Sequence, residues 1–555
     1  IRDDVESRGR GDVYKRQTHG KPSKENSHPH MDNSNSFAVV HNGIIENYSD
    51  LREFLGKNGY NFLSQTDTEV IPNLIHYYFS KDEKTDDEKF LRAVKSCVDD
   101  LKGSYAIEVI SPLYPDRVIV VRKDSPLVIG KGEKENHIAS DIPALLKYTK
   151  AFYLLNDNEY AVIYNDHIKF YNSNLEEHNK PIKNIEWDAG AAEKGGFEDF
   201  MLKEIYEQPN SIRETIGSRF KLGEPCSFDD IDISKEYLST INKIYIVACG
   251  TAMHAGLVGK NLIEKLCNIP TTVDIASEFR YRDPIIDEKT LCIYVSQSGE
   301  TADTIAALKL AKSKGAKTLA ISNVIGSSIT READYTIYTH AGPEIAVAST
   351  KAYTSQVVLF AILAIYFAET LSSTDSKTLE DLKADILDLP SKIDTILAST
   401  QELKEFAKKV YTQKDMFFLG RGTDYNTSLE GSLKLKEISY IHSEAYAAGE
   451  LKHGPIALIE NGITVISIIT DSSLVEKSIS NIQEVITRGA KTLVVTNQNL
   501  PNANFDFVIN IPETNPLISP ILSVIPLQLI SYYISKNKGL DVDKPRNLAK
   551  SVTVE

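Results

Sequence analysis

Residues 290–323 read TLCIYVSQSGETADTIAALKLAKSKGAKTLAISN, and their pattern decides the fold. LCIYV is apolar without polar alternation, as a strand buried on both faces requires. The polar turn SQSGET follows, then TIAALKLAKSKG, with apolar residues at helical spacing and Gly315 as its stop. AKTLAIS repeats the apolar strand signature, so the stretch predicts a strand–helix–strand unit with parallel strands. The alternation extends outward. KIYIVACG (243–250), TAMHAGLVGKNLIEKL (251–266) and TTVDIA (271–276) precede it, and a long apolar helix over 350–370 closes the region.

The pattern restarts after a charged helical connection at 376–412. DMFFLGRGT (415–423) echoes YIVACGT (245–251), and RGAKTLVVTN (488–497) echoes KGAKTLAISN (314–323). Gly422 follows Gly250 by 172 residues and Gly489 follows Gly315 by 174, so the two copies keep nearly one register. One α/β domain has been duplicated.

Upstream of the repeats the character differs. FAVV (37–40) reads as a short strand ending in an Asn42–Gly43 turn signal, followed by helical stretches at 48–58 and 68–79, the second offering Asp67 as a cap. From 103 to 172 the segments SYAIEVIS, RVIVVR, PLVIG, FYLLND, YAVIYN and HIKFYN predict an α+β domain with antiparallel sheets. Residues 173–198, with the single tryptophan Trp187, read as a linker, and 198–217 as helix. The opening IRDDVESRGRGDVYKRQ has almost no apolar periodicity, and residues 1–17 are expected to be non-native sequence. The expected domains are 18–198, a connection at 199–236, repeats at 237–375 and 405–540, and a tail at 541–555.

Composition narrows the function classes. A chain of 555 residues with 42% apolar and 25% charged residues is ordinary globular protein of several domains. Its 62 Lys and Arg against 77 Asp and Glu give a formal charge of −15, which disfavours nonspecific binding to nucleic acid or an anionic membrane. Cys97, Cys226, Cys249, Cys267 and Cys292 are scattered without metal-ligand or disulfide spacing, which suggests a reducing cytoplasm. VVLFAILAIYFA (357–368) is too short to span a bilayer and reads as a buried helix, and no signal peptide is recognisable.

Two stretches could carry chemistry. SQSGET (Ser296–Thr301) places hydroxyl and amide side chains on a turn at a helix start, where outward N–H groups can cradle a phosphate. Helix capping alone accounts for one or two such residues, not for four in six positions. Thr251, beyond the first strand, and Ser349 and Thr350 in VAST (347–350) should join this rim, since ligands of open parallel sheets bind beyond the carboxyl ends of the strands. No GK[ST] is present, which argues against nucleoside triphosphates. In EGSLKLKEISYIHSEAYAAGELKHGP (430–455), Lys434 and Glu437 share a helix face, the arrangement of a base beside a tuning cation and equally of a surface ion pair. Glu444, Glu450 and His453 fall in the same stretch.

Taken together, CGT, SQSGETADT, VASTKA, KLKEISYIHSEAYAAGELKHGP and the ending PRNLAKSVTVE resemble the isomerising glutamine:fructose-6-phosphate amidotransferases. THGKPS, HPH, HNGIIEN and TDTEV resemble the glutaminase domain of the same family, so the likeness runs from about residue 18 to Glu555. It implies a class II, N-terminal-nucleophile glutaminase domain, here incomplete, followed by two tandem doubly wound sugar isomerase (SIS) domains. It also implies synthesis of glucosamine 6-phosphate from fructose 6-phosphate and glutamine, without metal or cofactor, by a cytoplasmic homodimer.

By that resemblance Thr251, Ser296, Gln297, Ser298 and Thr301 hold the sugar phosphate, and Val347 and Ser349 line the sugar. Glu437 moves the proton between C1 and C2, with Lys434 beside it. His453 helps open the ring in a neighbouring subunit's site, and Lys550 forms a Schiff base with the ketose. An aldose–ketose shift needs such a base, a ring-opening acid or base, and an amine. A Schiff-base lysine needs a closed site, so the tail, aperiodic and otherwise read as disordered, should be ordered against the repeats.

The glutaminase half departs from the family pattern. Asn42 and Gly43, the oxyanion-hole pair, and Asp67, which holds the glutamine amino group, are present. No cysteine precedes Cys97, which lies in a helix-like segment, and YKRQTHG offers no match to the family's arginine and tryptophan. The expectation is therefore that this chain does not hydrolyse glutamine. Two rivals remain open: an ammonia-dependent synthase or sugar-phosphate isomerase, and a noncatalytic sugar-phosphate sensor, which has no need of Glu437, His453 and Lys550.

Overall fold

A computed structural model describes residues 23–185, 193–228, 231, 233–500 and 504–552. The expected non-native opening at 1–17, the residues THGKP and Trp187 lie outside these. Contacts divide the chain into two compact units, the first built on residues up to 192 and the second on 193–299 and 303–550.

The first unit is layered helix on sheet on sheet. A seven-stranded antiparallel sheet runs in the order 30–31, 38–45, 103–110, 117–123, 160–164, 168–171, 177–178. The helices Tyr48–Lys57, Val70–Lys81 and Lys89–Asp100 bury Leu55, Val70, Leu74, Phe90 and Val94 against one face of it. A four-stranded sheet, ordered 183–184, 151–154, 128–131, 136–139, meets the other face through Ala106, Val120, Ile129 and Ala161. Strand alternation places these small and branched residues on one face and the helix-facing residues on the other.

Three local expectations need correction. Asn42 and Gly43 do not turn the chain, because the strand runs on to Ile45 and pairs Asn42 with Ala106 and Gly43 with Tyr105. Gly43 has φ +138°, and a Cβ there would stand 2.1 Å from the Ser104 carbonyl oxygen, so glycine is needed for close strand approach rather than for a hairpin. Asp67 does not cap the helix at Val70. The N-cap is Glu69, and Asp67 Oδ2 accepts from the Ile45 N–H at 2.8 Å. The stretch 173–198 is also more than a linker, since Glu177–His178 and Lys183–Asn184 each add an edge strand.

In the second unit the duplication is visible as two five-stranded parallel sheets with one topology. The first runs 271–275, 243–248, 290–296, 317–322, 335–338, and the second 442–447, 415–420, 464–469, 491–496, 507–510. Each is covered on both faces, as its unbroken apolar strands require. One shared core joins the inner faces through Ile246, Ile293, Ile466 and Leu493 and the helices Lys351–Leu371 and Ser519–Asn537. Separate clusters around Phe279 and Tyr294, and around Leu451 and Val465, cover the outer faces. The helix Lys351–Leu371 is long and apolar enough to cross a membrane, yet it is buried over most of its length in this core.

The described residues of 199–236 also pack. The helices Phe200–Tyr206 and Gln208–Ile216 put Met201, Ile205, Ile212 and Ile216 into the shared core. The tail is ordered against the same unit. Asp543 accepts from the N–H groups of Phe200 and Met201 at 2.9 and 2.8 Å, the Val347 N–H donates to its carbonyl at 3.0 Å, and the Arg546 N–H donates to the Tyr440 hydroxyl at 2.8 Å. Side chains and backbone N–H groups of distant elements thus hold a segment that has no periodicity of its own.

Candidate active site

In each repeat the first strand turns directly into a helix, Gly250–Cys267 in the first and Thr423–Ser439 in the second, and these two helices pack together. Their contact lies beside the crevice at the carboxyl ends of strands 243–248 and 290–296, where the strand order reverses. The elements that meet there come from both repeats and from the tail.

The phosphate-cradle residues sit at this switch point. Ser296 ends its strand buried, and its hydroxyl accepts the Gly299 N–H at 3.0 Å, which closes the SQSG turn. Gly299 has φ +70°, and a Cβ would lie 2.0 Å from Ser327 Oγ. The turn is clamped from outside by the Asn323 N–H on the Gln297 carbonyl (3.2 Å) and the Ile329 N–H on the Gly299 carbonyl (3.0 Å). Gln297 and Ser298 stay half-exposed on the turn, and Thr301 immediately precedes the helix Ala302–Ser313. The turn is thus a rigid rim carrying partly exposed polar side chains at a helix start, which suits an anion.

The second repeat fills its equivalent crevice itself. Asp424 is buried and accepts from the Thr470 N–H at 2.9 Å and from the Thr470 hydroxyl. Burial pushes the Asp424 carboxyl up to about 6. A carboxylate occupies the donors that an anion would use, so among the described residues the first repeat alone presents a cradle of this kind.

Thr251, expected on the phosphate rim, takes a different partner set. Its hydroxyl donates to Glu430 Oε1 at 3.1 Å and accepts from Lys434 Nζ at 3.0 Å. Lys434 is almost fully buried, with ion-pair contacts of 2.7 Å to Glu437 Oε2 and 3.3 Å to Glu430 Oε1. The surface-ion-pair reading of Lys434 and Glu437 therefore fails. Burial pushes the Lys434 ammonium down, but Glu430 and then Glu437 outweigh it and hold the lysine charged. Glu437 Oε2 is buried against the Lys434 ammonium, while the Glu437 side chain keeps 21% of its surface exposed, which leaves the carboxylate within reach of a substrate proton.

Lys550 reaches the same region from the tail. Its Nζ lies 2.6 Å from Glu344 Oε2 and donates to the Ala346 carbonyl at 2.8 Å. The other oxygen, Oε1, accepts from the N–H groups of Thr350 (2.9 Å) and Ala352 (3.1 Å) and from the Ser349 hydroxyl (3.2 Å). One buried carboxylate therefore closes the N-terminus of the helix Lys351–Leu371 and holds the tail lysine beside Val347 and Ser349. Burial pushes Glu344 up, yet Lys550 and the backbone donors pull it below the ordinary carboxylate range. Glu344 also acts electrostatically on Lys434, which brings the two clusters within reach of each other.

Sequence reasoning did not single out Glu344, Glu430 or His254. Glu430 stands at i−4 to Lys434 in the quoted stretch, and that spacing was the available signal. Glu344 lies three residues before VAST, and nothing local marks it as a ligand of a lysine 206 residues away. His453 ends the short 3₁₀ segment Ala448–His453, is exposed, and makes no hydrogen bond to the described residues. Glu444 meets the Tyr446 hydroxyl and Glu450 is exposed, so neither enters the cluster.

In the first unit Asn42, Gly43 and Asp67 come together through the Ile45 N–H and the strand that carries them. His41 lies beside them, with Nδ1 3.0 Å from Thr68 Oγ1, and burial pushes its imidazole down to about 3. Cys97 is fully buried in the helix Lys89–Asp100 with its thiol pushed up by burial, an inert structural position.

Comparison with known proteins agrees with this layout. The family model described as SIS domain matches residues 237–366 and 409–535, and that described as glutamine amidotransferase domain matches 15–147. The chain is 57% identical over 540 residues to a glutamine--fructose-6-phosphate aminotransferase [isomerizing] of Clostridium tetani, covering 97% of this chain and 88% of that one. It is 56% identical over 542 residues to the protein of the same name from Clostridium perfringens, with the same coverage. Among solved structures, the C-terminal domain of glucosamine-fructose-6-phosphate aminotransferase from Francisella tularensis is 38% identical at TM-score 0.61, covering 63% of this chain and 99% of that one.

Proposed function

The chain belongs to the isomerising glutamine–fructose-6-phosphate aminotransferases, and from that premise we propose that its second unit makes glucosamine 6-phosphate from fructose 6-phosphate. The observation that carries this reading is Glu437, partly exposed and charge-paired at 2.7 Å with the buried Lys434, on a helix packed against the repeat that bears the phosphate cradle. Nitrogen arrives as ammonia, released from glutamine or supplied directly.

The open-chain ketose binds with its phosphate on Ser296, Gln297, Ser298 and Thr301 and its carbons past Val347 and Ser349. Thr251 ties this rim to the proton-transferring pair. Lys550 passes its proton to a carboxylate, adds its amine to C2 and expels water to form a Schiff base. Ammonia adds at C2 and the lysine leaves, giving the imine. Glu437 then removes a C1 proton and returns it to C2, while the C1 hydroxyl proton is lost and the imine nitrogen gains one, so C1 becomes the aldehyde and C2 carries the amine. The ammonium of Lys434, 2.7 Å from Glu437, stabilises charge during the transfer.

His453, exposed and unpartnered among the described residues, acts as the ring-opening group in the site of a second copy, which makes the working form a homodimer. No metal, nicotinamide or pyridoxal group enters this chemistry, nor does a nucleic acid or a membrane, and the enzyme works in the cytoplasm at the entry to amino-sugar synthesis. The test is product formation from fructose 6-phosphate and ammonium by the parent, Glu437→Gln and Lys550→Ala. Loss in both variants supports the assignment, and parental rates in either refute it.

A further inference from the structure

His254 has no place in the chemistry above, yet it lies on the helix Gly250–Cys267, three residues after Thr251, and points into the same cluster. It is buried, and its Nδ1 stands 2.7 Å from Oε2 of Glu430, a carboxylate with no solvent exposure. Burial pushes Glu430 up, but the charge of Lys434 and the hydrogen bond from His254 pull it below the ordinary range, so Glu430 is ionised and can only accept. The proton in this contact is therefore on His254 Nδ1.

The geometry around Glu430 makes the bond consequential. Glu430 and Lys434 are four apart on one helix, and two opposite buried charges at that spacing would by themselves close into a tight pair. Here the pair stays at 3.3 Å, while Lys434 makes its shorter contact, 2.7 Å, with Glu437. Both Glu430 oxygens already have donors, Oε2 from His254 and Oε1 from Thr251, and both donors belong to the first repeat. A carboxylate held from two sides resists closing further on the ammonium. Lys434 thus sits between two carboxylates, nearer the one that handles the substrate proton.

We infer that His254 is a positioning residue for proton transfer: by fixing Glu430 across the repeat interface it directs the charge of Lys434 onto Glu437. The inference rests on the reading of Glu437 as the base. Without the His254 donor, Glu430 is free to turn to Lys434, and the short Lys434–Glu437 contact lengthens. The other titratable groups that reach this cluster are Glu344, which acts on Lys434, and Tyr353, on which Glu430 acts. Neither is bonded to His254, so a change at His254 is transmitted through Glu430.

The experiment follows exchange of the C1 proton of fructose 6-phosphate with deuterium oxide by NMR, across pH, in the parent, His254→Leu, His254→Asn and Glu437→Gln. Without ammonia this reads C1 proton removal by Glu437 from the bound ketose or its Lys550 Schiff base, before nitrogen is added. His254→Leu is expected to lower kcat for exchange roughly tenfold, with KM changed less than about twofold. His254→Asn, which keeps a donor near the Nδ1 position, is expected to recover most of the rate. If His254→Leu does not fold, His254→Ala is read in the same way. A folded Leu or Ala variant with parental kcat overturns the inference, as does an Asn variant no better than Leu. Parental exchange by Glu437→Gln instead overturns the reading of Glu437 itself, whatever the His254 variants do.

Discussion

Lys550 Nζ stands 2.6 Å from Glu344 Oε2, while the other oxygen of that carboxylate takes the N–H groups that open the helix Lys351–Leu371. A residue from the aperiodic tail is thereby fixed to the rigid core of the first repeat. The pair predicts that borohydride with fructose 6-phosphate labels Lys550 in the parent and leaves Lys550→Ala unlabelled. Glu344→Gln removes the charge that holds the ammonium and can take its proton, and is expected to slow labelling at least about tenfold. Mass spectrometry of the tail peptide reads both.

The same carboxylate sets a stability trend with pH. Glu344 is held below its ordinary value of 4.5 in the folded chain, against burial, by Lys550 and backbone donors. Its contribution is present above 4.5 and is lost as pH falls below it. Thermal unfolding followed downward from pH 6 should therefore show a shallower loss in Glu344→Gln than in the parent.

Glu204 has the opposite sign. It is buried, one oxygen accepts from the Ile345 and Ala346 N–H groups, and Oε2 has no partner. Burial, followed by the nearby charge of Glu344, raises its carboxyl above the ordinary 4.5. The neutral acid is the stable folded form, so its contribution is intact below 4.5 and is lost as pH rises through the raised value. Glu204→Gln mimics the neutral acid, and its melting temperature should fall less than that of the parent as pH rises into the neutral and alkaline range.

The cradle depends on Gly299, whose Cβ would stand 2.0 Å from Ser327 Oγ at φ +70°. Gly299→Ala is expected to raise KM for fructose 6-phosphate roughly tenfold or more while the melting temperature moves by only a few degrees. Equal effects on a neutral ketose without the phosphate would argue against a phosphate site.

If His453 serves a second copy, Glu437→Gln and His453→Ala subunits complement each other. Randomly mixed dimers would have about a quarter of their sites intact. Recovery of about that share of parental activity on mixing two inactive variants, with none in either alone, supports a shared site. No recovery after verified subunit exchange contradicts it.

The duplication was legible because strands buried on both faces, such as LCIYV, leave an unbroken apolar run and because glycines recur in near-constant register. The proximity of Lys434 and Glu437 followed from helical spacing alone. What spacing could not supply was burial: Lys434 lies in a repeat–repeat contact, and only the fold turns an ordinary i, i+3 pair into a desolvated one. Glu344 and His254 were missed because their partners are far away in sequence, 206 residues for Glu344 and 176 for the His254–Glu430 bond, whereas Glu430 carried a local signal in its i, i+4 spacing to Lys434. Asn42–Gly43 misled because a hairpin signal and a close strand approach both ask for glycine, and only the Ser104 carbonyl tells them apart.

Exchange of the fructose 6-phosphate C1 proton with solvent deuterium compares the parent with Glu437→Gln at equal substrate saturation, checked by binding of the sugar phosphate to both. Glu437 as the proton carrier predicts exchange in the parent and a loss of at least about a hundredfold in Glu437→Gln, with binding retained. Exchange at the parental rate by a Glu437→Gln enzyme that binds the sugar phosphate would contradict it.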